Sequence, residues 1–202
     1  MVGLNYQLPQ ELSMSILVSE LWLAILFAGL LSWFASALIH MLFKYHNADY
    51  KELLNEPEVC SALAEKLPAP ALYTVPYCSD MKAMGEELMQ KKFTQGPVAM
   101  ITVMPNGMPP MGKLLSQQIL FFIFGSLLIG YLASISIAAD AAFIIVFRQI
   151  FVASFLTYGW AQIPYSIWMG QPWSNCVRYL LDALIYAAVT ACTFALLWPD
   201  VN

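Results

Sequence analysis

The chain has 202 residues, of which 60% are hydrophobic and only 11% charged, against roughly 25% charged residues in an ordinary soluble domain. So few charges cannot cover one or two soluble domains of this length, and a bilayer has to supply the missing apolar solvent. The net charge of −4, with no Lys/Arg cluster interleaved with aromatics, excludes a nucleic-acid binder.

Residues 1–20 read as an N-terminal tail without a basic n-region. The apolar stretch that follows exceeds a signal-peptide core of about 7 to 15 residues, so the first helix is expected to act as its own signal. A spanning helix needs about 20 mostly apolar residues to cross a hydrocarbon core about 30 Å thick. Residues 21–43 meet this with no internal charge, between Glu20 and Lys44.

Residues 44–113 are predicted to form a small α+β cap outside the membrane, because about 70 residues are too many for a structureless loop. Pro57 is expected to open a helix with Val59, Leu63 and Leu67 on one face, halted by Pro68 and Pro70. Ala71 to Tyr77 and Val98 to Met104 read as strands. Between them, Ser79 is expected to cap a helix carrying Met81, Met84 and Leu88 and ending towards Gly96. Pro105 to Gly112 is a turn cluster.

The second and third spans are expected at 114–138 and 141–160, joined by a short link at Asp140, with Arg148 inside the third. A connecting loop at 161–178, a fourth span at 179–198 holding Asp182, and a C-terminal tail at 199–202 complete the all-α membrane fold of about four transmembrane helices. Lys44, Lys51, Lys91, Lys92, Lys113 and Arg178 lie on one side of this arrangement. The positive-inside rule then predicts a cytoplasmic cap at 44–113 and periplasmic termini.

Intramembrane ionisable groups are functional candidates by default, which singles out Arg148 and Asp182. Depth arithmetic puts them in opposite halves of the bilayer. Arg148 is therefore expected to snorkel or to meet Glu20, and Asp182 to lie level with His40 and Lys44, one helical turn from Arg178. His40, His46 and Asp49 are the candidate metal ligands, yet on a continuous helix only His46 and Asp49 share a face. No metal site, cofactor or catalytic group is expected: Glu-x-x-His and His-Glu-x-x-His patterns are absent, as are a Gly-x-Ser-x-Gly elbow and a Walker loop. Cys60, Cys78, Cys176 and Cys192 contain no Cys-x-x-Cys pair, and a Cys60–Cys78 disulfide is compatible only with a periplasmic cap. Ala183, Ala187, Ala191 and Ala195 form a ladder of small residues for helix packing, within the bundle or against a membrane-protein partner or second copy. Ser32/Ser36 and Ser126/Gly130 repeat that spacing.

Ser36, His40, Met41, Tyr45, His46 and Asp49, then Gly96-Pro97-Val98, Pro105-Asn106-Gly107 and Met111-Gly112-Lys113, and finally Asp182, Tyr186, Thr190, Thr193, Phe194 and Trp198-Pro199 resemble a family of bacterial inner-membrane proteins with no assigned activity. The resemblance spans most of the chain and implies a bacterial source and a helical membrane bundle. It departs at Lys44, where the family pattern has Pro before the Tyr-His pair. The functional expectation is a non-enzymatic accessory or scaffold protein of a membrane complex. The alternatives are a small transporter or channel using Arg148 and Asp182, and a metal-dependent membrane enzyme.

Overall fold

The computed structural model describes residues 16–64 and 69–199. Leu67 and Pro68, assigned above to the end of the first cap helix, lie outside the described residues. Contacts divide the chain into two units. One comprises the residues up to Asp49, Pro110–Ile167 and those from Gln171; the other comprises Tyr50–Pro109 with Trp168–Gly170.

The first unit is a bundle built on helices α1 (Trp22–Leu38), α4 (Met111–Ser136), α5 (Phe143–Tyr158) and α7 (Trp173–Leu196). Four helical stretches, Val18–Phe43, Met111–Ser136, Phe143–Trp168 and Trp173–Leu196, are long and apolar enough to cross a membrane. The protein is thus an all-α membrane protein with four candidate spans and a small two-stranded sheet between the first two. α1 packs on α4 and α7, and α5 packs on the same two helices, closing a four-helix ring. Leu21, Ala28, Phe122, Val146, Ile150 and Phe194 are buried at its centre.

Lipid tails are as apolar as leucine, so close packing has to hold such helices together. The small residues supply it. Ala183, Ala187, Ala191 and Ala195 are all buried inside the bundle. A Cβ on Gly159 would come within 2.5 Å of Ala183 Cβ, and a Cβ on Gly29 within 2.8 Å of Ile123 Cα. Ser32, Ser36, Ser126 and Gly130 are buried as well, with Ser32 Oγ 3.0 Å from Thr190 Oγ1.

Two stretches depart from the predicted outline. Beyond Tyr158 the chain makes one 3-10 turn, Trp160–Gln162, and continues as α6 (Ile163–Trp168), so the predicted loop from 161 opens as helix. α7 begins at Trp173, directly after Pro172, six residues before the expected start of the fourth span. Arg178 is therefore a helical residue and not a loop residue.

In the second unit, α2 (Glu56–Ala64) precedes strand β1 (Ala71–Val75), which pairs antiparallel with β2 (Ala99–Val103) in the register Ala71 to Val103. α3 runs Glu87–Gln95 and ends at Gly96, where φ is +64°. The expected cap at Ser79 is not formed: the Asp80 carboxylate accepts the Lys82 N–H at 3.0 Å, and a 3-10 turn at Ala83–Gly85 separates Met81 from the helix. A carboxylate that captures the backbone two residues on favours a turn over a helix start. Cys60 and Cys78 are both free thiols.

Candidate functional site

The end of α1 decides the site. Its regular winding gives way to a π-helical turn over Ile39–Phe43, and Lys44 then takes a left-handed conformation, φ 49°. A non-glycine residue there costs about 1–2 kcal/mol. The chain folds back at that point into a 3-10 turn over Tyr45–Asp49. The continuous helix assumed for the His40–His46 spacing is thereby broken, which overturns the expectation that the two rings point apart. The imidazoles are stacked, with centroids 4.7 Å apart and planes within 4°.

α7 supplies the other half. Asn175, Arg178, Tyr179 and Asp182 lie three, four and seven residues apart, which is one helix face. Asp182 is buried. Its Oδ1 accepts the Tyr45 hydroxyl, and its Oδ2 lies 2.8 Å from His46 Nε2. His46 Nδ1 lies 2.7 Å from Asp49 Oδ2, so the ring bridges two carboxylates. A neutral imidazole carries one N–H, hence one of these two contacts needs a further proton on the ring or on the acid. Arg178 does not pair with Asp182, its helix neighbour. It donates to Asp49 Oδ1, while Asn175 Nδ2 donates to the Asp49 carbonyl at 3.4 Å. Tyr45 and Tyr179 flank the His46 ring, with centroids 4.5 and 5.1 Å away.

His40 differs from these residues in being exposed. Its Nδ1 lies 2.9 Å from the Ser36 carbonyl oxygen, an acceptor, so the hydrogen sits on Nδ1. One donor atom each from His40, His46 and Asp182 lie within 4.8 Å of one another. The acid in that set is Asp182, and Asp49 stands behind His46. Depth along the spans places Asp182 level with His40, as found; its contact with His46, 136 positions away, has no signal in local spacing.

Arg148 belongs elsewhere. It lines a groove of about 650 Å³ formed by Ile129, Leu132 and Ser136 of α4 and Ile145, Val152 and Leu156 of α5, among others. The Trp198 indole N–H donates to the Ala138 carbonyl at 3.2 Å, which sets the end of α7 beside the α4–α5 turn. Arg148 is thus near the end of the bundle opposite Asp182. Among the described residues Glu20 forms no ion pair with it; Glu20 Oε2 accepts the Leu17 N–H at 2.8 Å. Among the described residues Arg148 has no hydrogen-bond or ion-pair partner.

No family model, no curated protein and no solved structure matches the chain.

Proposed function

We propose that the protein is a non-enzymatic accessory or scaffold subunit of a membrane complex, in the bacterial inner membrane to which the sequence resemblance points. One observation carries this reading: an arginine without a partner among the described residues lines an apolar groove within a membrane span. An arginine this close to the start of its helix either snorkels to the interface or pairs with an acid; in this reading it pairs, and the occupant of the groove is a partner helix with an acidic side chain facing Arg148. The exposure of α5 fits: the most apolar window of its span is only 22% buried, against 50% for that of α7. The transporter alternative calls for Arg148 and Asp182 on one polar path. The groove takes its walls from α4, α5 and the turn between them, and Asp182 is not among its residues.

The basic residues near the spans favour a cytoplasmic His46 end and a periplasmic Arg148 end. A second reading, a metal-dependent membrane enzyme, is favoured by the gathering of His40, His46 and Asp182.

The experiment is purification of the tagged protein from native membranes in mild detergent. A stoichiometric membrane partner is expected with the wild type, lost in Arg148→Leu and in Arg148→Glu while the protein itself still elutes as a folded species. A partner-free monomer from wild-type membranes would overturn the proposal, and so would an unchanged complex with Arg148→Glu.

A further inference from the structure

We propose that His40, His46 and Asp182 form a binding site for one divalent first-row transition metal ion, of the two-imidazole, one-carboxylate type. This goes beyond the accessory-protein reading and does not depend on it. Three donors close in space are a weak argument alone; the hydrogen bonds that set the tautomers of the two imidazoles are the stronger one.

A histidine that ligates a metal through one nitrogen donates its other N–H to a carboxylate or a backbone carbonyl, which fixes the tautomer. Both histidines have this arrangement. His40 Nδ1 lies 2.9 Å from the Ser36 carbonyl oxygen, and His46 Nδ1 lies 2.7 Å from the Asp49 carboxylate. Each ring therefore has Nε2 as its remaining donor atom, which on His46 already faces Asp182 Oδ2. The supporting acid is itself held, because Arg178 donates to its Oδ1, while Asn175 Nδ2 donates to the backbone carbonyl of the same residue. Asp182 is prepared in the same way: Tyr45 takes Oδ1, and Oδ2 is the oxygen beside His46 Nε2.

At 2.8 Å, that nitrogen and oxygen stand at hydrogen-bond distance, and they separate to roughly 3.4 Å when both bind one tetrahedral metal with bonds of about 2.0–2.2 Å. The proton they share is the one a cation replaces: it leaves to solvent as the metal takes both lone pairs. The His40 ring has to turn out of its stack on His46, since two lone pairs in near-parallel planes cannot meet at one ion. Its exposure at the end of α1 gives it room to do so. With three protein donors and an exposed side, the site leaves a coordination position open to water, as three-ligand zinc sites do. Imidazole and carboxylate donors without a thiolate suit zinc, iron, nickel or copper, in contrast to calcium or magnesium.

The test uses the full-length protein in detergent, stripped with a chelator, with Zn2+ as the probe in competition with a chromophoric chelator and Co2+ as the spectroscopic reporter. One ion per chain is expected, with proton release on binding measured in buffers of different ionisation enthalpy. Asp182→Asn and His46→Gln should abolish binding, but both also remove contacts that hold the chain together. His40→Ala and His40→Phe together decide the matter, because the hydrogen bond of His40 is confined to its own helix and phenylalanine keeps a ring against His46: a weakening of at least tenfold and an altered Co2+ spectrum are expected in both. Asp49→Asn should weaken binding about 10- to 100-fold. A variant with Cys60 and Cys78 replaced by serine should bind as the wild type does. Fewer than half an ion per chain in the wild type, or unchanged affinity in His40→Ala, would overturn the proposal.

Discussion

Removing the Asp182 carboxylate would leave the Tyr45 hydroxyl and a His46 nitrogen facing a buried gap. A buried polar group left without its partner costs about 1–3 kcal/mol, and two are left here, so Asp182→Ala should lower unfolding stability in detergent by about 3 kcal/mol. Arg148→Leu should behave in the opposite way. With no partner among the described residues and an apolar groove around it, the isolated protein should lose nothing or gain slightly, because leucine is the better residue at membrane depth. Denaturant titration of both variants in one detergent checks the contrast, and equal losses would contradict these surroundings. The sequence makes both residues visible as charges inside apolar runs. It does not disclose what Asp182 touches, because its partners arrive through a reversal at Lys44, a residue with no glycine or asparagine signature for a positive φ. The same reversal hides the His40–His46 approach and gives Arg178 a partner, Asp49, that helical spacing did not suggest.

At the scale of elements, the contacts of α7 with α5 and of α1 with α4 rest on positions where a side chain has no room. Gly159→Ala would set its new methyl 2.5 Å from Ala183 Cβ and 3.5 Å from Leu180 Cδ2. Overpacking of this kind costs about 1–3 kcal/mol. The melting temperature in detergent should fall accordingly, and the double variant Gly159→Ala with Ala183→Gly should recover part of the loss. Gly112→Ala meets nothing within 4 Å and, as a helical glycine replaced by alanine, should leave the melting temperature unchanged or slightly raised. The alanine ladder was legible because its four-residue spacing is a property of one helix alone. The Gly159 contact was not, because it depends on which helix faces the ladder. Apolar length likewise identified four spans. Their ends shifted where a proline stood outside the apolar run, in or beside a helix start: Pro164 in the first turn of α6, and Pro172 just ahead of α7. In the smaller unit, β-branched and aromatic runs revealed the strands, whereas the competition between Asp80 and Ser79 for the local backbone was invisible in composition.

For the whole molecule, chemistry divides between the two ends of the bundle: the histidine–carboxylate cluster at one, and the arginine groove towards the other. That division requires four membrane crossings, with the α4–α5 turn and the first turn of α7 on opposite faces. The most direct measurement is labelling of single cysteines by an impermeant thiol reagent in intact cells, on a cysteine-free background, at Asp140→Cys and at Ser174→Cys, both exposed positions. One of the two should label before permeabilisation and the other only afterwards, and the proposed orientation makes Asp140→Cys the first. Simultaneous labelling of both from outside, or protection of both until the membrane is opened, would contradict the account.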